Sequence, residues 1–235
     1  MNKIALYFCS LVLLSISSQA VAEEVATFAG GCFWCMESDF EKLDGVREVI
    51  SGFTGGEIKN PTYNGDHRGH YEAVQVYYDP AVVSYAELLE HFWVNIDPFD
   101  DRGQFCDKGH AYLSAIFVSD PDYKALAQQS REKVVARFKG QEIVTPILPL
   151  GPFYPAEEYH QDYYKKNPVR YRYYRSRSGR DEFLDSVWGE EARKKSGNAE
   201  LPDKMFGETV NEHVLWLSVR AYLAHQRQGN ASVRN

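Results

Sequence analysis

The sequence predicts an α+β fold, and two observations lead to that prediction. Residues 25–29 form a short apolar run with the composition of a buried strand, and a glycine turn at Gly31 follows it. Beyond the turn, Met36, Phe40 and Leu43 recur at helical spacing, with charged residues on the opposite side. The second observation is that apolar runs of strand length continue along the chain, separated by two longer segments with helix-start signals.

These signals define the later helices of the core. Ser84 and Glu87 have the form of a capping box, and the helix that they start ends before Pro98. A further helix opens at Pro121 and closes at Gly140. Strands are predicted over residues 46–53, 72–78, 112–118 and 143–148, and short helices from residues 155 and 181. The core order β-α-β-β-α-β is typical of a ferredoxin-like sandwich of two layers, a sheet covered by helices on one side.

Two long polar loops interrupt this order, over residues 54–71 and 100–111. Loops of this length in a compact domain are usually functional. Residues 163–180 interleave tyrosines with basic residues, a pattern that can bind single-stranded nucleic acid. The formal net charge of −7 argues against a dedicated nucleic-acid binder. We therefore interpret this segment as an irregular C-terminal wrap around the domain and expect no nucleic-acid partner.

The first 22 residues have the features of a secretory signal peptide. Lys3 supplies the charged start, and residues 4–16 are mostly apolar but too short to span a bilayer comfortably. Ala20-Val21-Ala22 is an A-x-A cleavage site. Cleavage near Ala22 predicts an exported protein, periplasmic or secreted further, with no stable membrane anchor.

The 235 residues divide into three parts, and 44% of them are hydrophobic, enough for one sizeable core. We expect the signal peptide to cover residues 1–22 and one folded domain to cover residues 23–189. Residues 190–235 are a linker and an appended tail, in which residues 206–228 have the pattern of an amphipathic helix. We expect a monomer.

Cys32 carries the clearest chemical signal, because it lies where the glycine turn meets the first helix. The free N–H groups and the positive end of a helix dipole stabilise an anion at that position. A thiol there can fall from a pKa of about 8.5 to roughly 3.5–7.5, and the thiolate is the nucleophile. Cys35 follows one helical turn later, and Phe33 and Trp34 place two large rings beside the sulfur. The pattern indicates a reactive thiol in an apolar pocket, with a second thiol placed to form a disulfide with it.

Three other interpretations stay open on the residues alone. Cys32, Cys35, Cys106 and His110 together offer a structural zinc set, although Phe-Trp between the first two suits a pocket better than a zinc knuckle. A thioredoxin-like C-x-x-C would make the chain a thiol-disulfide oxidoreductase, but that motif usually contains proline. A buried structural cysteine is the third.

From about residue 25 to residue 189 the chain resembles the A-type peptide methionine sulfoxide reductases. Several separate motifs carry the resemblance in the same order, which makes it far more specific than one cysteine motif. They are Gly31-Cys32-Phe33-Trp34, Gly55-Gly56 with Pro61-Thr62-Tyr63, Gly69-His70-Tyr71-Glu72, Tyr78-Asp79-Pro80, Phe92-Trp93, residues 104–112 with Ser114-Ala115-Ile116, and residues 153–161.

The resemblance implies an enzyme that reduces methionine S-sulfoxide in oxidatively damaged proteins, and free methionine sulfoxide, to methionine. Cys32 would be the nucleophile and would become a sulfenic acid. Glu72 would be a protonated general acid. Tyr63, Asp107 and Tyr112 would hold the sulfoxide oxygen, and Phe33 and Trp34 would form the pocket for its S-methyl group. The resemblance implies no metal and no organic cofactor, and an external thioredoxin-like dithiol as the reductant.

The chain departs from the family pattern in four places. Many members have a resolving cysteine near the C-terminus, where this chain has Ser176 and Ser178. That leaves Cys35 or Cys106 to resolve the sulfenic acid. The resemblance favours Cys35, because family members with Cys-Phe-Trp-Cys resolve within this motif, and Cys106 is the alternative. Leu113 replaces an arginine that is common in the family, and the loop between Tyr63 and Glu72 is about three residues short. Residues 201–235 instead resemble the start of a ribosomal large-subunit protein.

Overall fold

The computed structural model describes residues 23–189 and 192–193. Its strands are β1 Glu24–Gly30, β2 Val46–Thr54, β3 Tyr71–Tyr78, β4 Gly103–Gln104, β5 Asp107–Lys108, β6 Ser114–Val118, β7 Ile147–Pro149 and β8 Tyr154–Pro155. Its α-helices are α1 Phe33–Phe40, α2 Tyr85–Trp93, α3 Pro121–Arg137, α4 Tyr163–Lys166, α5 Pro168–Arg177 and α6 Arg180–Trp188. The predicted signal peptide and nearly all of the predicted tail lie outside the described residues. Within the described residues, no helix is long and apolar enough to span a membrane.

The α+β prediction is confirmed by a six-stranded mixed sheet packed against helices. The strand order is β7-β6-β1-β3-β2-β8. Strand β1 lies antiparallel between β3 and β6, and β2 lies antiparallel between β3 and β8. The β6–β7 pair is parallel. The short strands β4 and β5 form a separate hairpin in the second polar loop.

The alternation of side chains along β1 divides the packing between the two faces of the sheet. Phe28 points toward the helices and stacks on Phe40 of α1 and Phe92 of α2, with both ring centroids 5.1 Å away. Ala29 points the other way and packs with Ala115 and its neighbours in a smaller cluster. The larger cluster anchors α1, and thereby the first turn of α1, against the sheet.

Four element predictions differ from the structure. Tyr112 lies in a 3₁₀ turn, His110–Tyr112, and the strand after it begins only at Ser114. The strand expected over residues 143–148 is reduced to β7, and the helix expected from residue 155 is a turn after β8. The wrap expected to be irregular contains α4 and α5, although residues 163–180 carry no amphipathic pattern. Ion pairs hold α5 in place instead, because Arg175 bonds Asp39 of α1.

Candidate active site

A glycine with a left-handed backbone sets the position of Cys32. Gly31 has φ +82°, and a Cβ on it would lie 2.6 Å from Cβ of Gln104. Only glycine fits this conformation and this close approach without strain. Cys32 then becomes the N-cap of α1, and its carbonyl accepts the N–H of Cys35 at 3.0 Å. The predicted junction of strand, turn and helix is therefore present.

The structure brings seven of the predicted site residues into one small pocket of about 40 Å³. The pocket is lined by Cys32, Phe33, Trp34, Tyr63, Glu72, Asp107, Tyr112 and Tyr174. Helix α1, strand β3, the two polar loops and helix α5 each contribute to it. Of the two predicted resolving cysteines, neither lines the pocket: Cys35 is fully buried in α1 and Cys106 is exposed.

Glu72 lies at the pocket end of β3, 2% exposed. Its Oε2 accepts the N–H of Phe33 at 3.1 Å, which ties the carboxyl to the start of α1. Burial raises the pKa of Glu72 to about 8, and the nearby charge of Asp107 acts in the same direction. The hydrogen bonds from Phe33 and Tyr112 oppose the rise. A carboxyl with this pKa is mostly protonated at neutral pH and can act as an acid.

Two phenols and a carboxylate line the pocket beside Glu72. Burial raises the pKa of Tyr63 and of Tyr112, and the neighbouring Glu72 adds to both. Their hydroxyls therefore keep their protons and can donate to an oxygen. Tyr174 donates a hydrogen bond from its own hydroxyl to Oδ2 of Asp107. This bond joins α5 to the second polar loop across the pocket.

Aromatic contacts hold the indole of Trp34 in a fixed orientation. Its Nε1 donates to Nδ1 of His160 at 3.0 Å. The ring of Tyr163 stacks on the indole with centroids 3.7 Å apart and planes 7° from parallel. Phe33 packs against Tyr63 and His160, at 6.1 and 5.1 Å between centroids. The apolar wall predicted from Phe33 and Trp34 is thus a rigid surface.

The predicted low pKa of Cys32 is wrong for this structure. Burial raises the pKa of Cys32 well above its usual value, and the hydrogen-bonded thiol of Cys35 and the carboxyl of Glu72 raise it further. Tyr174 acts in the opposite direction. Loss of hydration on burial is the largest of these effects, although Cys32 lies at a helix start. Cys32 is therefore a neutral thiol here, hydrogen-bonded to Cys35.

Cys106 sits in different surroundings from the other two thiols. Although the residue is exposed, partial burial of its thiol raises the pKa of Cys106 to about 11, and the charge and hydrogen bond of Asp107 add to the rise. The zinc set from the sequence is not assembled. Within residues 23–189 and 192–193, the three cysteines and His110 do not bring ligand atoms together, and Nε2 of His110 instead meets the carbonyl of Gly69 at 3.1 Å.

Sequence reasoning missed Tyr174 as a pocket residue and His160 as the partner of Trp34. Helix α5 contains three tyrosines and four arginines. Nothing in the sequence distinguishes Tyr174 from its neighbour Tyr173, which is 69% exposed. His160 belongs to one of the motifs that carry the family resemblance. It could have been found there as the only histidine in that stretch.

Comparison with known proteins shows which family the chain is similar to. The family model described as peptide methionine sulfoxide reductase matches residues 24–192. A Caulobacter vibrioides protein named peptide methionine sulfoxide reductase MsrA 2 is 48% identical over 192 residues, covering 79% of this chain and 97% of the relative. The Bacillus licheniformis peptide methionine sulfoxide reductase MsrA is 51% identical over 175 residues, covering 72% and 96%.

Two solved structures are similar to the described fold. Reduced Mxr1 from Saccharomyces cerevisiae has a TM-score of 0.58 and 34% identity, and the match covers 68% of this chain and 94% of Mxr1. Methionine sulfoxide reductase A of Corynebacterium diphtheriae has a TM-score of 0.58 and 35% identity, covering 65% and 78%. With the family model and the curated relatives, these matches establish that the chain belongs to the A-type peptide methionine sulfoxide reductase family.

Proposed function

We propose that this protein reduces methionine S-sulfoxide in oxidised proteins, and free methionine sulfoxide, to methionine. One observation carries the proposal. A single pocket places the thiol of Cys32 beside a buried carboxyl, Glu72, whose pKa is raised to about 8, and beside two protonated phenols. Sulfoxide reduction needs a nucleophile for the sulfur and a proton for the oxygen, and this pocket supplies both.

The pocket has an apolar side and a polar side, which bind different parts of the substrate. The S-methyl group packs on Phe33 and Trp34, which the contacts with His160 and Tyr163 hold rigid. The sulfoxide oxygen points to Glu72 and the hydroxyls of Tyr63 and Tyr112, with Asp107 completing the polar side. With a volume of about 40 Å³ the pocket has room for little water, which strengthens these hydrogen bonds.

The chemical step transfers one oxygen atom from substrate to enzyme. The sulfur of Cys32 attacks the sulfoxide sulfur while Glu72 gives its proton to the oxygen. Methionine leaves as the oxygen passes to Cys32, which becomes a sulfenic acid. The proton released by the thiol restores Glu72, so atoms and charge balance. In the site without substrate, Cys32 is a neutral thiol. It therefore becomes a nucleophile only when Glu72 protonates the sulfoxide oxygen and takes the proton of the thiol.

Cys35 then resolves the sulfenic acid, and a thioredoxin-like dithiol regenerates both thiols. Neither Cys35 nor Cys106 lines the pocket, but the thiols of Cys32 and Cys35 already hydrogen-bond to each other. The pKa of Cys35 is lowered to about 7, chiefly because the Cys32 thiol donates to it, while that of Cys106 is raised to about 11. A larger share of Cys35 is therefore thiolate at neutral pH, which favours it as the attacking group.

We also propose a ferredoxin-like core for the domain, supported by the order β6-β1-β3-β2 of the four central strands and their antiparallel pairing. We propose export because residues 1–22 have the features of a signal peptide, and an appended tail because of the composition of residues 190–235. We also propose that the protein is a monomer. Repair of oxidised proteins outside the cytoplasm follows from these proposals together.

The test is methionine release from a sulfoxide peptide with a dithiol present, using separated S and R epimers. We expect turnover of the S epimer only, and its complete loss in Cys32→Ser. A thiol-disulfide oxidoreductase would instead reduce insulin without need of Glu72. Wild-type protein that reduces insulin but releases no methionine from either epimer would overturn the proposal.

A further inference from the structure

Outside the pocket lining, two little-exposed arginines from the C-terminal helices pack against α1 and the turn before it. Arg180, the first residue of α6, is 1% exposed, and the side chain of Arg175 in α5 is 12% exposed. Neither lines the substrate pocket, and no step of the reaction above uses them. Burying two guanidinium groups is costly unless other groups compensate their charges.

Arg175 is compensated by carboxylates. Its Nη1 donates to both oxygens of Asp39 at 2.8 and 2.9 Å, and its Nη2 and Nε donate to Asp181 at 2.7 and 2.9 Å. Asp39 is ionised, because Arg175, Lys42 and Arg180 hold its pKa well below the usual range against the effect of burial. Arg175 therefore sits between two negative charges.

Arg180 is held by neutral groups. Its Nη2 donates to the carbonyl of Gly30 at 2.9 Å and its Nη1 to the carbonyl of Asn95 at 2.8 Å. The guanidinium lies over the ring of Phe105, 4.4 Å from its centroid. Among the described residues, no carboxylate lies within ion-pairing distance of it. The positive charge is thus fixed directly behind the turn that precedes Cys32, with no bonded counter-ion.

The turn between α5 and α6 fixes this placement. Gly179 has φ +73° and reverses the chain at the end of α5. Ser178 Oγ donates to the carbonyl of Arg175 at 2.7 Å and accepts the N–H of Arg180 at 3.2 Å. The serine therefore stabilises the turn that aims both arginines at α1.

Cys35 is a fully buried acidic group close to both arginines. It directly precedes Met36, whose Sδ lies 3.9 Å from Nη1 of Arg180, and it lies one helical turn before Asp39, which Arg175 bonds at 2.8 Å. The Cys32 thiol, which donates to it, and the charges of Arg180 and Arg175 lower the pKa of Cys35 to about 7, against burial and Asp39. The ionisable groups around Cys35 are Cys32 at the N-cap of α1, Asp39 of α1, Glu72 of β3, Cys106 between β4 and β5, Tyr171, Tyr174 and Arg175 of α5, and Arg180 of α6.

We propose that Arg180, supported by Arg175, is a positioning residue for the resolving step, whose charge holds Cys35 as the thiolate that attacks the Cys32 sulfenic acid. This inference rests on the proposed function and deepens the role of Cys35. The sulfur of Cys35 attacks the sulfur of Cys32, the S–S bond forms as the S–O bond breaks, and hydroxide leaves and takes up a proton as water. The bound sulfoxide has already supplied the oxidising equivalent.

The test separates the two steps in one turnover. Wild type and Arg180→Met are mixed with excess S-sulfoxide peptide without reductant, and quenched samples are analysed for methionine, disulfide and sulfenic acid trapped by a 1,3-dione. In Arg180→Met we expect methionine to form, the sulfenic acid to accumulate, and disulfide formation at pH 7 to slow by roughly five- to fifty-fold. The pH profile of the disulfide step should move to higher pH, and Arg180→Lys should restore it in part.

Two further variants control for simple loss of structure. Arg131 also donates to two backbone carbonyls, of Ile143 at 2.7 Å and Thr145 at 3.2 Å, but lies away from the site. Arg131→Met should keep the wild-type disulfide rate and pH profile. Asp39→Asn removes a negative charge near Cys35, so its disulfide profile should move to lower pH, opposite to Arg180→Met.

A wild-type disulfide rate and pH profile in Arg180→Met would overturn the inference. If Arg180→Met lacks the native circular dichroism spectrum, Arg180→Lys and Asp39→Asn replace it in the test. Wild-type pH profiles of the disulfide step in both variants would also overturn the inference. Absence of methionine from the wild-type protein would refute the proposed function rather than the role of Arg180.

Discussion

Replacing Glu72 by glutamine tests the acid that the reaction requires. Glutamine has nearly the same shape, and its amide oxygen can still accept the N–H of Phe33, which bonds Oε2 at 3.1 Å in the native site. The change therefore removes the acidic proton and leaves the turn in place. Positioned general acids contribute on the order of 10²–10⁴ in rate, so we expect kcat/KM to fall by about that factor.

The raised pKa of Glu72 gives this prediction a pH signature. The wild-type rate should fall as pH rises through about 8, because Glu72 loses the proton that it must donate. The glutamine variant should lack this decline. The assay is methionine release from an S-sulfoxide peptide between pH 6 and 9.5, and a variant rate within tenfold of wild type would refute the role of Glu72.

The same substitution should alter stability in a defined pH window. In the unfolded chain Glu72 ionises above pH 4.5, whereas the native protein keeps the proton until about pH 8. Unfolding then releases a proton, so the wild-type free energy of unfolding falls as pH rises from 4.5 to 8. At about 1.4 kcal/mol for each pKa unit, the full cost is on the order of 5 kcal/mol. Urea unfolding should show Glu72→Gln gaining stability relative to wild type across this window, and a constant difference would contradict the raised pKa.

Three further predictions follow from the geometry of the turn and its thiols. Cys32→Ser should release no methionine even in a single turnover, and detectable product would exclude Cys32 as the nucleophile. Cys35→Ser should complete one turnover but cycle poorly with a thioredoxin-like donor, whereas the matched Cys106→Ser should cycle normally; the reverse pattern would make Cys106 the resolving residue. Gly31→Ala should destabilise the fold by about 1–3 kcal/mol in thermal unfolding, because it forces a φ of +82° on alanine and a contact with Gln104; an unchanged Tm would contradict this.

The junction before Cys32 was predictable because its signals are local. The apolar strand, the glycine turn and the helical repeat all lie within about 20 residues of one another. The structure has β1, the left-handed Gly31 and α1 in that order. The seven pocket residues were predictable only through the family resemblance, since they come from four separate segments. Their roles remain predictions that the variants above address.

What sequence reasoning missed depends on burial and on distant pairs. The pKa of Cys32 was expected to fall, because a helix start is visible in the sequence while the burial that raises the pKa is not. Helix α5 has no apolar repeat and depends on the bond of Arg175 to Asp39, 136 residues away in the chain. Nothing in the sequence distinguishes Arg180 from the other arginines of its basic segment, yet it is 1% exposed.

The central claim is that Cys32 takes the oxygen and Cys35 closes the disulfide. The most direct measurement is one turnover of the purified protein on the S epimer without reductant, with methionine, free thiols and the disulfide-linked peptides all quantified. We predict about one methionine per chain, loss of two thiols, and a disulfide between Cys32 and Cys35 with Cys106 still free. No methionine with all thiols unchanged, or a disulfide that includes Cys106, would contradict the account.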